Sequence, residues 1–362
     1  MVTSMKKILV LDVHASEGGA LSILDDFYEQ VIQNGSDHIQ WIFLVSTPEY
    51  LDTKFIKSYR FPWIKKSWLH RLIFDNCFLP IFVRKADPDL ILNLQNKAYR
   101  FRKVPEIVYL HLPFILTKHR FRLFRDEFKL WFYQKIYKAV IFKSYKNVGK
   151  IVVQTKWMKD ELIRQAQIDQ DRVAIVQPKL ALKFEWGEEF LKSDLTEIFY
   201  PATGFSYKNH MIILKAMKDL KKIKEYSAYF TIDPNENKYA RTLSDYSKKH
   251  GLNVNFLGSI NRDEVIKRLR SGFLVFPSFI ESFGLPLLEA KVLGVPIVAI
   301  DAPFSREILN DYERVSFFDG NDHCDLVTTL LEFRPNDKKL TNSDECPSNI
   351  SLMDLILHNQ DD

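Results

Sequence analysis

The amino-acid sequence predicts an α/β protein made of two doubly wound, Rossmann-like domains. Three observations carry this reading. Short apolar runs of strand length alternate with amphipathic segments along most of the 362 residues. The alternation runs through twice, with an interruption at Pro178 and the charged stretch Lys183 to Lys192. A chain of this length also has enough residues for two full cores.

The first series opens with Lys7 to Val13, a buried strand by its run length and β-branching. Ala15 to Ala20, with Gly18-Gly19, reads as a loop before a helical pattern from Leu21 to Ile32. Strand, glycine loop and helix is the opening unit of a doubly wound domain. Further strands follow at Ile39 to Val45, Asp89 to Leu94, Ile107 to Leu110, Lys150 to Val153 and Val173 to Val176. The second series has strands at Ile198 to Ala202, Ala228 to Ile232, Val254 to Leu257, Phe273 to Phe276 and Val295 to Ile300. The expected division is a first domain over 1–180, a second over 195–335, and a polar tail over 336–362. Within that tail, Ser348 to Leu357 reads as a last helix capped by Ser348 or Asn349.

The most informative segment follows the Phe273 to Phe276 run. It places Glu281 in a loop and Glu289 about one turn into a helix that Pro286 opens. Free amides at such a helix start attract phosphate, and Gly284 lets the backbone come close to it. One carboxylate can then hold hydroxyls on one side of a diphosphate, and the other those on the far side. A ligand with polyols at both ends of a diphosphate is a nucleotide sugar. The plain alternative makes Glu281 a loop surface charge and Glu289 a solvated helix residue.

This string resembles the donor-site signature of glycosyltransferase family 4, retaining enzymes of the GT-B fold in which two Rossmann-like domains face each other across a cleft. The resemblance implies that Glu281 lies near the donor sugar and that Glu289 binds the ribose hydroxyls. It also implies that the loop Ser282, Phe283, Gly284, Leu285 offers amides to the sugar and the distal phosphate. Tyr200 to His210 resembles the family's lysine motif, with Lys208 as diphosphate ligand and Asn209 beside it. Thr203 stands where the family often has Arg, so one cationic contact is missing or comes from elsewhere. Gly258, Ser259 and Ile260 correspond to the loop lining the base. Gly18 and Gly19 resemble the first-domain glycine loop that faces the donor phosphate. His111, at a strand end, matches a family histidine close to the donor sugar; a satisfied strand-end histidine is the alternative. Asn93, Gln95 and Asn96 end the preceding strand as acceptor contacts or as a turn.

The implied reaction moves a sugar from a nucleoside diphosphate to an acceptor hydroxyl with retention of configuration. Lys208 and the amides after Gly284 would stabilise the charge growing on the leaving diphosphate. No cofactor and no metal is expected, since no Asp-x-Asp pair falls in a plausible loop. No obvious general-base carboxylate is present either, which fits a transfer in which the leaving phosphate helps deprotonate the acceptor. A different class, a non-catalytic GT-B scaffold or partner subunit, draws its support from Thr203.

Charge is unevenly spread: residues 51–150 are strongly basic and 301–362 acidic, within a net charge of +5. A basic block points to an anionic partner. Nucleic acid has no recognition motif in its favour. Basic and aromatic residues interleave around Trp63 to Trp68 and Phe114 to Lys150, which fits peripheral contact with an anionic membrane through residues 60–150. Phe121, Phe124, Phe128 and Trp131 recur at helical spacing, as a core stripe or part of that surface. Cys77, Cys324 and Cys346 lack metal-ligand spacing and cannot all pair, which fits a reducing, cytoplasmic setting. Met1 to Val10 reads as a strand rather than a signal peptide, and no apolar run is long enough to span a bilayer. Together with the charge, this suggests a lipid-linked saccharide acceptor, as in bacterial capsule or surface polysaccharide assembly.

Overall fold

The computed structural model describes residues 5–16, 18–34, 38–99, 101, 104–121, 127–178, 195–335 and 351–358. Met1–Lys179 with Ser348–Asp362 forms one compact unit, and Leu180–Pro347 the other.

The first unit holds a parallel sheet of β1 (Lys6–Asp12), β2 (Ile39–Val45), β3 (Ile56–Arg60), β4 (Leu90–Asn93), β5 (Glu106–Tyr109), β6 (Lys150–Val153) and β7 (Val173–Ile175). Their spatial order is β3-β2-β1-β4-β5-β6-β7. Helices pack on both faces, so central strands are apolar on both sides: Ile8, Leu9, Val10 and Leu11 are all fully buried. The order reverses between β1 and β4, which makes their C-terminal ends the switch point of this sheet.

The second unit repeats the plan with β8 (Glu197–Tyr200), β9 (Ser227–Phe230), β10 (Asn253–Phe256), β11 (Phe273–Phe276), β12 (Ile297–Ile300) and β13 (Val315–Phe318). The order is β10-β9-β8-β11-β12-β13, again all parallel, with the reversal between β8 and β11.

Four departures from the sequence reading are instructive. The strands β3 and β13 escaped it, and both lie at sheet edges. In β3 only Ile56 is buried, so no apolar run marks it. Gly18 and Gly19 do not form a loop; they open the helix Gly18–Asn34, which buries Leu24, Phe27 and Val31. The aromatic stripe breaks up: Phe121 lies outside any helix, Phe124 is outside the described residues, and Phe128 begins the short helix Phe128–Phe132. At the chain end the expected last helix is present, and the fourth departure is that it joins the core of the first unit. The helix Leu352–His358 buries Leu352, Met353, Leu355 and Ile356 in the same core cluster as Leu24, Phe27 and Val31. The caps expected at Ser348 or Asn349 fall outside the described residues. Ser351 does the capping: its Oγ accepts from the Asp354 N–H at 3.1 Å, and Asp354 Oδ2 accepts from the Ser351 N–H at 2.9 Å.

Candidate donor site at a sheet switch point

In the second unit, the loops after β8 and β11 emerge side by side because those strands are neighbours. The Phe279 N–H donates to the Tyr207 carbonyl at 2.9 Å, tying the two loops together. Tyr200, at the end of β8, donates its hydroxyl to the Lys208 carbonyl at 3.0 Å. These bonds fix the backbone under Lys208, whose Nζ meets Glu281 Oε1 at 2.6 Å. Both side chains are only 15% exposed, so the pair is poorly screened by water.

Past Glu281 the chain turns at Gly284, with φ at 97°, a conformation that side chains with a Cβ rarely adopt. Gly284 is the N-cap of the helix Leu285–Val292, with Pro286 in the first turn. The opening N–H groups of such a turn have no partner inside the helix. Phe283 is buried beneath it. Glu289, one turn on, is 6% exposed. Its Oε1 pairs with Arg262 Nη2 at 2.8 Å. Burial raises the pKa of Glu289, and the Arg262 charge opposes that rise. Arg262 was not singled out from sequence. The signal was there in part, since it follows Gly258, Ser259 and Ile260 and begins the helix Arg262–Ser271.

The remaining donor-side residues spread around this centre. Thr203 is exposed in the loop after β8. Asn209 sits at φ 58° and donates Nδ2 to the Gly320 carbonyl at 2.9 Å, a structural bond that sequence reading did not foresee. Gly258 has φ 68°, and its N–H donates to the Ile232 carbonyl at 3.1 Å; Ser259 is exposed and Ile260 half-buried. Ser282 stands next to Glu281, partly exposed. His210, just after the lysine motif, is fully buried against Tyr200 and Phe230, and burial pulls its pKa down to about 3. It is a neutral core ring.

The first unit carries its own polar group at the β1–β4 switch point. Asp12, at the end of β1, is 1% exposed, and its Oδ1 accepts from the N–H groups of His14 at 3.1 Å and Ala15 at 3.0 Å. Burial outweighs those bonds and pushes its pKa up to about 7. His111 follows β5. Its backbone N–H donates to Asn96 Oδ1 at 2.8 Å, which turns the Asn96 amide nitrogen toward His111 Nε2 at 3.2 Å. Nε2 therefore accepts and the proton resides on Nδ1. Burial lowers the His111 pKa to about 4, so this neutral tautomer holds at pH 7. His111 Nδ1 is buried without a protein partner. Gly18 (φ 65°) and Gly19 lie exposed at the start of their helix, with open space where a Cβ would stand.

Potential metal ligands come together elsewhere, at Asp322, His323 and Cys324 on consecutive positions. Asp322 there is occupied as an N-cap, accepting from the Cys324 N–H at 2.8 Å.

Carboxylates, a lysine and an open helix start thus meet at the switch point of a doubly wound sheet, the place where such sheets bind ligands. Residues 31–178 match the family described as Glycosyltransferase Family 4, and residues 184–345 match Glycosyl transferases group 1. The chain belongs to the family 4, group 1 glycosyltransferases and has the GT-B fold. Among its relatives is the O-antigen chain mannosyltransferase RfbU of Salmonella typhimurium, 25% identical over 184 residues, or 50% of each chain. The match thus spans about half the length of the curated relatives. Among solved structures, sucrose-phosphate synthase from Thermosynechococcus elongatus superposes with a TM-score of 0.70 at 17% identity, covering 90% of this chain and 89% of that one. Anabaena HepE in complex with UDP and glucose has a TM-score of 0.63 at 16% identity, covering 90% and 89%. At these identities the structural likeness speaks for the fold.

Proposed function

We propose that the protein is a retaining glycosyltransferase that moves a hexosyl group from a nucleoside diphosphate sugar to a hydroxyl of a lipid-linked saccharide in bacterial capsule or surface polysaccharide assembly. The observation that carries this reading is the paired constellation at the β8–β11 switch point: Lys208 on Glu281, and Arg262 on Glu289. An arriving diphosphate competes with Glu281 for the Lys208 ammonium, which then stabilises the charge that develops as the sugar departs. Glu281, released, becomes an acceptor for sugar hydroxyls. Glu289 keeps Oε2 for the ribose hydroxyls, and the amides after Gly284 face the phosphate. In the first unit, His111 keeps Nδ1–H as a neutral donor without a protein partner. No step in this scheme calls on a metal or cofactor.

A thermal-shift series with UDP, GDP, dTDP and ADP tests the donor reading, because a ligand that binds only the native state raises its melting temperature. One nucleotide should stabilise clearly more than the rest. Absence of any shift at millimolar concentrations would remove the donor site. The scaffold reading rests on the exposed Thr203 in place of a cation; it predicts no nucleoside diphosphate release from any common sugar donor.

Membrane contact belongs to the same proposal. Trp68, Leu69, Leu72 and Ile73 share one face of the helix Trp68–Ile73 and are all exposed, Trp68 by 74%. Phe128, Phe132, Ile136 and Val140 form a second exposed row at a spacing of four, displaced from the stripe expected from sequence. Exposed Lys65, Lys66, Lys129, Lys135 and Lys143 flank these rows. Apolar rows edged by cations suit the headgroup region of an anionic bilayer. Among the described residues no helix is long and apolar enough to cross a membrane. Co-sedimentation with phosphatidylglycerol vesicles at low salt, and none with neutral vesicles, is the expected result; no binding to either would end the idea.

A further inference from the structure

We propose that the β1–β4 switch point of the first unit is an oxyanion pocket, built on Arg71 and Gln95, that takes a phosphate or carboxylate carried by the acceptor. This rests on the glycosyl-transfer reading and names the chemical class of its acceptor.

Arg71, on the helix Trp68–Ile73, spends two of its nitrogens on protein partners. Nε meets Asp75 Oδ1 at 2.8 Å, and Nη2 donates to the Tyr99 hydroxyl at 2.8 Å and to Gln95 Oε1. Nη1 is buried and has no partner. Gln95 follows β4 and is 2% exposed. Its backbone N–H is held by Asn93 Oδ1 at 3.0 Å and its Oε1 by Arg71, while Nε2 is buried and unpartnered. Nη1 and Nε2 are thus each one carbon away from the two ends of the same Arg71–Gln95 hydrogen bond, on the groups that the proposed anion would bridge.

Leaving a buried donor unmatched costs stability, and more when it is charged. Two such donors, held by Asp75, Tyr99 and Asn93, await a partner that the described residues do not supply. The surroundings carry the sign an anion needs. Loss of hydration and the charges of Arg71, Lys65 and Lys97 hold the His14 imidazole well below its ordinary pKa, which places those three cations around the end of β1. Two carboxylates lie in this region: Asp75, paired with Arg71, and Asp12, whose Oδ2 is also unpartnered; near neutral pH Asp12 is about half protonated, and protonated it becomes a further donor.

A phosphate of a lipid diphosphate linker and the carboxylate of an acidic sugar present the same chemistry, and the probes separate them. The full-length protein is titrated calorimetrically with methyl phosphate and with methyl glucuronide, as wild type, Lys208→Ala and Gln95→Glu. Gln95→Glu keeps an oxygen for Arg71 Nη2 and replaces the unmatched N–H by a second carboxylate oxygen. Wild type and Lys208→Ala should bind one probe saturably, and Gln95→Glu should bind it at least tenfold more weakly. The tighter probe identifies the source of the anion. If Gln95→Glu does not fold, Arg71→Lys, which removes the fork but keeps the charge, takes its place with the same expectation. No saturable binding of either probe, unchanged binding in the folded variant, or loss in Lys208→Ala would overturn the proposal. Nucleotide binding is measured on the same samples. If nucleotide binds while neither anion does, only the pocket falls; if no nucleotide binds, the transfer reading falls.

Discussion

The two sheet switch points treat charge in opposite ways. At β8–β11 each carboxylate already has a cation: Glu281 holds Lys208 and Glu289 holds Arg262. At β1–β4 donors are left over: Arg71 Nη1, Gln95 Nε2 and His111 Nδ1 are buried and unmatched. A closed set of ion pairs is stable without ligand and must exchange partners when one arrives. An open set carries a standing desolvation cost that a ligand removes. On the proposed reading, the first arrangement suits a donor that must bind and then leave as a nucleoside diphosphate. The second suits selection of an acceptor by its charge.

The comparison can be broken in several places, starting with the largest effect. Deleting the chain from Ser351 onward strips four buried side chains from the first unit, at about 1.5–3 kcal/mol each. That unit should lose its cooperative melting transition, while nucleotide stabilisation of the second unit persists in calorimetry. Loss of both would mean that donor recognition is not a property of the second unit. Next, Lys208→Ala removes the cation and leaves Glu281 unpaired; turnover should fall about 10²–10³-fold, the range for removing one preorganised electrostatic contact. A steady-state assay showing a change in KM alone would assign Lys208 to binding and leave transition-state stabilisation elsewhere.

Asp12→Asn probes the open side. The native carboxyl has a pKa of about 7 against an ordinary value of 3.8, so between those limits the folded state binds more protons than the unfolded state. Stability should therefore fall as pH rises from about 4 to 7 and level off above. Asn retains the Oδ1 bonds and lacks the titration, so it should gain stability above pH 7, by up to about 4 kcal/mol. Urea midpoints at pH 5 and pH 8 check the sign. The smallest effect is expected for Glu289→Ala, with nucleotide affinity weakened about tenfold, equivalent to about 1.4 kcal/mol. Arg262→Ala should instead shift the pH midpoint of nucleotide binding upward, since the charge that opposes the raised Glu289 pKa is gone. Equal, wild-type-like nucleotide titrations for both would detach this pair from the ligand.

Much of this was legible before any coordinates. Ile8 to Leu11 and Phe273 to Phe276 are continuous apolar runs because both faces of a parallel strand are covered, and a run of that kind needs no partner to be read. The edge strand Ile56–Arg60 buries only Ile56 and carries no such signature. The donor loop was readable from local order alone: Glu281, Gly284, Pro286 and Glu289 fall within one turn-and-helix unit. What lies outside that unit was not. Lys208 and Glu281 are 73 positions apart, and Arg71 and Gln95 are 24.

By itself, then, the sequence determined all the strands but β3 and β13, the two-fold repetition of the α/β plan and the local chemistry of the donor loop. Each of these is set by neighbours within a few residues, through periodicity, glycine geometry and helix capping. Only the tertiary structure decided which charges meet, which buried donors stay unmatched, and that Leu352–His358 completes the first core. Those outcomes depend on strand order, since β8 beside β11 and β1 beside β4 bring distant loops to one edge. Burial then turns such proximity into pairing or into a standing vacancy, and no local pattern records it.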